Sequence, residues 1–415
     1  QLDSKQIAIT GAATTIVTDD LTTSKALVSD ANGKVAASDI TSTELGYLDG
    51  VTSSIQTQLD SKISAGLVSV TENSNTGYRL ASANASNHGD IGDGGLDLSY
   101  QPSASTTTGS TGDYSTAMGN YTTASGLNST AMGAVTAASG NTSTAMGYET
   151  TASGDLSTAM GYHTEANKSY STSMGNGTKA SGVASTAMGS NTIASGQASI
   201  AMGISSIASG DNSTAIGYIT TATGIYSTAM GGGSLASAPT STAMGYNTIA
   251  SGNNSTAMGG QSTASGNNST AMGSNTLASG EKSIAMGEST AATGDYSTAM
   301  GSNTTASGDN STAMGWEATA SDYSSTVIGQ HNSSGSTATS ATSFSTLAPA
   351  FVIGNGVDAS NKSDAFSVLF NGNTTIGGSL TLNGTEITAT GTELNYVDGV
   401  TSSIQTQLDS KQIAI

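Results

Sequence analysis

The sequence is short of the residues that build globular cores and covalent cross-links. Its 415 residues include no Cys, 3 Pro, 4 Phe and 1 Trp, and only 9% are charged. Because Cys is absent, disulfides are excluded as a source of stability, although this says little about compartment. The scarcity of aromatic residues argues against one large core, and no apolar run is long enough to span a bilayer. The sequence has neither an initiator Met nor a signal peptide.

Basic residues are also few. The chain has 10 Lys and Arg against 29 Asp and Glu, a net charge of -19, and Arg79 is the one arginine. This acidic balance argues against nucleic acid and against anionic membrane surfaces as partners. Residues 1–9 are identical to residues 407–415. This identity indicates a segment of a longer modular chain.

What the sequence has in abundance is an internal repeat. Ser115-Thr116-Ala117-Met118-Gly119 returns every 14 residues, sixteen times in all, and ends at Gly329 with no insertion or deletion. A second phrase, Ala124-Ser125-Gly126, follows half a period behind. A strict period of this kind predicts a solenoid, in which each copy is one layer stacked on the next.

The composition of the repeat indicates two short strands and two turns in each layer. Gly, Ser and Thr disfavour helix. We expect one strand at Ser-Thr-Ala-Met and another at Thr-x-Ala-Ser, each followed by a Gly corner with positive φ. Pairs such as Asp155-Leu156 then fall in turns. Sixteen coils at about 4.8 Å each predict a parallel β-solenoid roughly 75 Å long.

All 14 Met occupy the fourth position of the first phrase. Strand alternation places Met118 and Thr116 on one face and Ala117 on the other. Small Ala side chains suit the narrow lumen, so the Met residues need another surface to cover them. Two further copies of the chain would supply it. A soft-metal or promiscuous binding surface is the alternative. We call this set the methionine column and predict it as a trimer core: Met118, Met132, Met146, Met160, Met174, Met188, Met202, Ile216, Met230, Met244, Met258, Met272, Met286, Met300, Met314 and Ile328.

The repeat resembles the YadA-like head repeats of trimeric autotransporter adhesins. That family repeats Ser-Val-Ala-Ile-Gly and Ala-x-Gly every 14 residues, where this chain has Ser-Thr-Ala-Met-Gly and Ala-Ser-Gly. The resemblance implies a left-handed parallel β-roll, assembled as a homotrimer outside a cell and used for adhesion. Thr for Val and Met for Ile depart from the family pattern, so the resemblance specifies neither ligand nor host.

The flanks indicate smaller modules. Ala12–Val17 is strand-like, and Asn32-Gly33 predicts a hairpin turn. Residues 41–63 predict a helix with Asp49 as N-cap. The same segment returns near the end of the chain with Asp398 in that role. The narrow apolar stripe of each copy is typical of a coiled-coil seam, and the two stripes are Leu48, Val51, Ile55 and Leu59, and Val397, Val400, Ile404 and Leu408.

The fold class predicted is therefore all-β dominated, a homotrimeric β-roll with short coiled-coil joints and small β modules at each end. All four Phe lie between Phe344 and Phe370 and predict a compact core with Val352, Ile353, Val368 and Leu369. The flanks also resemble modular fibre proteins of phages and bacterial surfaces. The expected domains are 1–40 (short β), 41–63 (helical joint), 64–111 (mixed connector), 112–331 (β-roll), 332–349 (linker), 350–386 (small β) and 387–415 (second helical joint).

Nothing in the sequence indicates catalysis. No Ser/His/Asp set or phosphate loop is recognisable, and His163 and His331 lie twelve coils apart, roughly 58 Å by the layer spacing. We expect no cofactor and no metal. A calcium loop at Asp90, Asp93 and Asp97 is the alternative to a solvated turn there.

Aromatic side chains after the first Gly are candidate contact points for glycans or proteins, with packing between coils as the alternative. They are Tyr121, Tyr148, Tyr162, Tyr218, Tyr246 and Trp316. Three functions remain open: a surface adhesin or filament segment, a virion fibre for host attachment, and a structural spacer without ligand. The partners expected are two further copies of the chain and a host-surface protein or glycan, at a cell or virion surface. We expect no membrane insertion within this segment.

Overall fold

A computed structural model describes residues 24–32, 35–63, 66–400 and 402–412. These residues form two compact units. The first contains the described residues up to Val70 and Tyr78–Asn84, and the second contains Thr71–Gly77 and the described residues from Ala85 onwards.

The first unit begins with the predicted hairpin. Strands Lys25–Ser29 and Val35–Thr41 pair antiparallel, with Val28 opposite Ala36. This confirms the hairpin, although Gly33 of its predicted turn lies outside the described residues. The strand predicted at Ala12–Val17 also lies outside them.

Two short helices, Ser42–Gly46 and Ile55–Ile63, replace the single helix predicted over 41–63. The prediction of Asp49 as a cap is wrong, because Thr41 caps the first helix in a reciprocal capping box with Glu44. Gly50 follows with a φ of 80°. A right-handed helix cannot continue through a residue in this left-handed conformation. Leu48 and Val51 therefore lie between the helices rather than on one helical stripe.

The second unit ends in a near copy of this arrangement. Helices Gly391–Asn395 and Ile404–Gln412 are separated by Gly399, whose φ is 78°. Thr390 and Glu393 form the capping box, so the prediction of Asp398 as the cap is also wrong. The same residues at the same spacing thus give the same local structure at both places.

The second unit is dominated by a parallel β-solenoid of about 18 turns, which confirms the fold predicted for the repeat. One ladder contains the long strands Leu96–Tyr100, Thr116–Asn120, Thr130–Ala134, Thr144–Tyr148, Thr158–Tyr162, Thr172–Asn176, Thr186–Ser190, Ile200–Ile204, Thr214–Tyr218, Thr228–Gly232, Thr242–Tyr246, Thr256–Gly260, Thr270–Ser274, Ile284–Glu288, Thr298–Ser302, Thr312–Trp316, Thr326–Gln330 and Pro349–Asn355. The other contains the short strands Gly109–Ser110, Thr123–Ala124, Ala137–Ala138, Thr151–Ala152, Glu165–Ala166, Lys179–Ala180, Ile193–Ala194, Ile207–Ala208, Thr221–Ala222, Leu235–Ala236, Ile249–Ala250, Thr263–Ala264, Leu277–Ala278, Ala291–Ala292, Thr305–Ala306 and Thr319–Ala320.

Equivalent residues of successive coils lie in register. Met146 pairs with Met132 on one side and Met160 on the other. Each long strand of the repeat begins one residue later than predicted and ends two residues later, so it includes the first Gly. Gly119 has a φ of 117°, so the predicted left-handed conformation is correct, but it lies within the strand rather than after it.

The second Gly has a different role from the one predicted. Gly126 does not adopt a left-handed conformation; instead, a Cβ there would lie 2.0 Å from the carbonyl oxygen of Gly140 in the next coil. Its missing side chain permits close stacking of the coils. The left-handed corners fall on Tyr121 and Asn128, with φ values of 54°. Backbone hydrogen bonds to the preceding coil hold both corners, from Tyr121 N to Tyr100 O and from Asn128 N to Asp113 O.

The lumen of the solenoid is filled by small side chains, as predicted. Ala117 and Ala124 are fully buried, and the equivalent alanines of later coils are buried in the same way. Ser115 and Thr122 complete the buried lining of the coil. The core is therefore a narrow stack of Ala, Ser and Thr, and the large apolar side chains of the repeat lie outside it.

The long-strand ladder extends beyond the repeat at each end. Asp97 of Leu96–Tyr100 pairs with Ala117, and Val352 of Pro349–Asn355 pairs with Val327. Val352 is fully buried in the lumen position. The antiparallel strands Asp364–Leu369 and Thr374–Ile376 then close this end.

The remaining elements lie outside the repeat. They are strands Leu67–Glu72 and Asn75–Leu80, the 3-10 turn Ala85–Asn87, and the hairpin of Thr381–Leu382 and Thr385–Glu386. Asn383 and Gly384 form the turn of that hairpin with positive φ, as their sequence predicts. The four Phe form two ring pairs, Phe344 with Phe370 at 5.0 Å and Phe351 with Phe366 at 6.3 Å between centroids.

Candidate functional site

The methionine column lies on the outer face of the long-strand ladder. Because Ala117 points into the lumen, Met118 on the next residue of the strand points outward. Met118 is 41% exposed and Met230 38%, and the other methionines are at least partly accessible. The chain thus carries a continuous ladder of large apolar side chains that its own fold leaves uncovered.

The predicted aromatic contact residues lie along one edge of the solenoid. Five of them, from Tyr148 to Trp316, are the last residues of their long strands, and Tyr121 is at the following corner. All six side chains are exposed, by 39% at Tyr121 up to 64% at Tyr246. We call the last residues of the long strands the edge column.

Two of these tyrosines stack on each other. The Tyr148 and Tyr162 rings lie 5.4 Å apart and 10° from parallel, and His163 meets Tyr162 edge-on at 4.1 Å. His163 Nδ1 lies 2.6 Å from Glu149 Oε2. A hydrogen bond to the Glu149 carboxylate raises the pKa of Tyr148. These two rings therefore pack against each other between adjacent coils.

A second aromatic, Glu and His cluster occurs at the other end of the ladder. Trp316 and His331 have ring centroids 4.9 Å apart, and His331 Nδ1 lies 3.1 Å from Glu317 Oε2. His331 is buried whereas His163 is exposed. The period of 14 residues places each His one coil after its Glu, which is why one sequence pattern gives both clusters.

The opposite edge of the solenoid carries tyrosines that the sequence prediction did not include. Tyr114, Tyr170, Tyr226 and Tyr296 are each at least half exposed. They occupy the corner that follows the second Gly, each with a positive φ. Their signal was present in pairs such as Asp113-Tyr114, which were interpreted as turn residues only.

The structure brings together a Ser, His and Asp that the sequence did not suggest. His88 Nδ1 lies 3.0 Å from Asp97 Oδ2 and 3.2 Å from Ser99 Oγ, and all three residues are buried. In a hydrolytic triad the Ser and the Asp engage opposite nitrogens of the ring. Here both engage Nδ1, and Ser99 Oγ also donates to Asp97 Oδ1 at 2.6 Å. The cluster lies in the first turn of the solenoid, where the Asp97 side chain occupies a lumen position.

The three aspartates considered for calcium have separate partners. Asp90 accepts a hydrogen bond from the Asn73 side chain, Asp93 Oδ1 accepts from Thr76 N at 3.4 Å, and Asp97 faces His88. Across the described part of the chain, no group of three or more His, Asp or Glu side chains is placed to hold a metal ion. In the same residues, no helix has both the length and the hydropathy needed to cross a bilayer.

The apolar residues of the helical joints are exposed. In the first joint Leu48, Val51, Ile55 and Leu59 are 38% to 49% exposed, and in the second Val397, Val400, Ile404 and Leu408 are 38% to 58% exposed. Because each joint is two short helices, these residues do not form one continuous helical stripe.

Comparison with protein families agrees with the geometry of the coils. The family described as the YadA head domain repeat matches eight consecutive segments, which together cover just over half of the chain. They are residues 110–135, 138–164, 166–192, 194–218, 222–248, 250–276, 278–304 and 306–332. A search of the curated proteins found no match. With its two-strand coils, its lumen of alanines and these matches, the chain belongs to the family of YadA head domain repeats, a structural and not a catalytic family.

Proposed function

We propose that this chain is the rod-forming and adhesive segment of a homotrimeric extracellular fibre. The observation that carries the proposal is the methionine column, an apolar ladder along the whole solenoid that a single chain leaves accessible. Exposed apolar surface of this extent marks an interaction site. YadA-like heads are trimeric, so two further copies of this chain are the partners that fit.

In this arrangement the methionine columns of three left-handed rolls meet around a common axis. Each coil contributes one large apolar side chain from each copy. Leu98 and Ile353 extend the same column by one layer at either end, because they pair with Met118 and Ile328. The exposed apolar residues of the helical joints would be covered by their counterparts in the same way.

The mass of the purified chain in dilute solution tests the trimer. Mass photometry should give three times the 40.6 kDa of the single chain. A stable monomer that keeps its β-solenoid circular dichroism spectrum would contradict the proposal.

The adhesive part of the proposal is supported by the exposed edge column. Its aromatic side chains stand on a polar rod, where they can contact host-surface glycans or proteins. Replacing Tyr148, Tyr162, Tyr218 and Tyr246 together by Ser should leave the trimer intact and abolish binding to cells. Unchanged binding would show that this edge of the solenoid has no adhesive role.

Two alternatives share the same rod. A structural spacer without ligand is favoured by the coils themselves, since sixteen repeats follow one another without any inserted loop. A virion fibre is favoured by the resemblance of the flanks to modular phage fibres. Loss of cell binding in the four-tyrosine variant would argue against the spacer.

A further inference from the structure

A gap one coil wide interrupts the edge column between Tyr218 and Tyr246, and we call this gap, at Gly232, the notch. The long strands place these residues on either side of Gly232, in register. Gly231 and Gly233 flank Gly232 in the sequence, so three successive residues of this coil contribute no side chain to the edge. The two tyrosines are 59% and 64% exposed.

The ring of Tyr246 borders the notch. A Cβ added to Gly232 would lie 3.6 Å from Tyr246 Cδ2 and would meet no other atom within 4 Å. A Cβ added to Gly260, on the other side of Tyr246, would meet nothing within 4 Å. The Tyr246 ring therefore leans toward Gly232, and the space between this ring and Tyr218 is open.

The separation of the two tyrosines leaves room for a ring-shaped group. Two layers of about 4.8 Å place the backbones of Tyr218 and Tyr246 roughly 9.6 Å apart. A ring between two others needs about 7 to 8 Å, twice the optimal carbon–carbon separation. A sugar ring is a group of this size, and its axial hydrogens form apolar faces that can contact tyrosine rings.

The charge of this region indicates a neutral ligand. No charged residue occurs between Asp211 and Glu281, although the chain as a whole has a net charge of -19. A polar side chain close to the adjoining corner is that of Asn247, whose Oδ1 would lie 2.2 Å from a Cβ on Gly233. A side-chain amide and two tyrosine hydroxyls can donate to and accept from sugar hydroxyls.

We propose that the notch of Tyr218, Gly232 and Tyr246 binds a neutral hexopyranose unit of a glycan chain, held between the two tyrosine rings. This proposal rests on the adhesive part of the proposed function and identifies a ligand class for one place on the edge.

The test fills the notch without removing an aromatic residue. Gly232→Leu places a side chain between the tyrosines, and Gly260→Leu is the matched control in the same column. Neither glycine has a left-handed backbone, and other coils carry Ile204 or Trp316 at this position, so both variants should fold. The probes are immobilised cellohexaose, maltohexaose and mannohexaose, together with a polyproline peptide, and the analyte is the full chain.

We expect the parent to bind at least one hexaose and Gly232→Leu to lose about tenfold in affinity, the scale of one lost stacking contact. Gly260→Leu should bind within twofold of the parent. Failure of the parent to bind any hexaose, equal binding by Gly232→Leu, or binding of polyproline alone would overturn the proposal. Mass photometry on the same samples reports the trimer separately, so a failed trimer and a failed sugar site are distinguishable.

Discussion

The Asn332 side chain forms two hydrogen bonds with the backbone of Thr319. This residue begins Thr319–Ala320, the last short strand of the solenoid. Asn332 Nδ2 donates to Thr319 O and Asn332 Oδ1 accepts from Thr319 N, both at 2.8 Å. The side-chain amide thus replaces the backbone of a further coil at the open edge of the ladder. Exposed strand edges are sites of association between chains, and natural proteins cover them.

Asn332→Ala should therefore weaken this end of the solenoid. The substitution leaves the Thr319 backbone groups unpaired in a partly buried place, at a cost of about 1–3 kcal/mol. Thermal unfolding should start at a lower temperature, and light scattering should detect end-to-end association. Asn176→Ala is the control, since Ala134 already occupies the equivalent position of another coil. Equal unfolding of the two variants would show that Asn332 is not an edge cap.

Met230→Asp tests the trimer core. Three carboxylates would be buried close together, and an unpaired buried charge costs several kcal/mol. Because a solenoid is stabilised by neighbouring layers, the defect should divide the rod into two separately melting parts. Met230→Ile should be nearly silent, since Ile216 and Ile328 occupy the same column. Limited proteolysis with mass spectrometry compares the variants, and equal resistance of Met230→Asp and the parent would place this column in solvent.

The two glycines of a coil should differ sharply in their tolerance of alanine. Gly245 has a φ of 131° and a Cβ there would lie 1.9 Å from Gly259 O, so Gly245→Ala should cost more than about 3 kcal/mol. Gly252→Ala faces a similar contact of 2.0 Å with Gly266 O. At that position, however, the natural sequence already has Ala238 and Lys168.

The coil of Ala238 shows how the second position adapts. Gly252 N and Ser251 N both donate to Ala264 O, whereas among the hydrogen bonds of the described residues Ser237 N alone donates to Ala250 O. Gly252→Ala should therefore lose one weak hydrogen bond, about 1 kcal/mol. Urea unfolding of both variants measures the difference, and similar destabilisation by both would contradict it.

Glu165 should make the solenoid sensitive to acid. A hydrogen bond from Lys179, and a second from Asn167, hold the pKa of Glu165 below its ordinary value of 4.5. A lowered pKa in the folded state means that the folded chain binds fewer protons, so this stabilisation is present above pH 4.5 and is lost as the pH falls through the folded pKa. Because the pair is about half exposed, the loss should be at most about 1 kcal/mol.

Unfolding midpoints measured between pH 7 and pH 3 test this contribution. Glu165→Gln should be less stable than the parent at pH 7 and should show a flatter pH dependence. Glu288→Gln, an exposed glutamate of the edge column, is the matched control. Parallel profiles for Glu165→Gln and the parent would exclude the pair as a source of acid sensitivity.

The coils could be predicted from the sequence because a strict period leaves one stacking register. Ala117 in the lumen and Met118 outside follow from strand alternation alone. Backbone detail could not be predicted in the same way: Gly126 is required by contact with the next coil, which involves residues 14 positions away rather than local turn geometry.

The extra strands at the two ends were missed for different reasons. Leu96–Tyr100 has Asp97 where the repeat has Ala, and its burial depends on His88 and Ser99, which local pattern does not reveal. Phe351-Val352-Ile353-Gly354 does retain the apolar and Gly positions of the repeat. The loop before it breaks the period of 14, so the repeat pattern does not extend to this strand.

In the edge column, the period of 14 predicts the spacing of the tyrosines but not the contacts of their rings. Tyr148 and Tyr162 occupy adjacent coils and their rings stack on each other, whereas Tyr218 and Tyr246 are separated by the coil of Gly232. The ring geometry shows that the first pair is stacked. The proposed sugar site depends on the glycine between the two tyrosines of the second pair.

In-register stacking also gives this protein an adjustable reach. Each coil bonds to the coil before and the coil after through the same backbone atoms, so one 14-residue unit can be duplicated or deleted without redesign of either end. The separation of the two ends then changes in steps of about 4.8 Å. Nearly identical repeats favour unequal recombination at the level of the gene. Variation in the length of the solenoid can therefore arise in single events that leave every type of contact between coils unchanged.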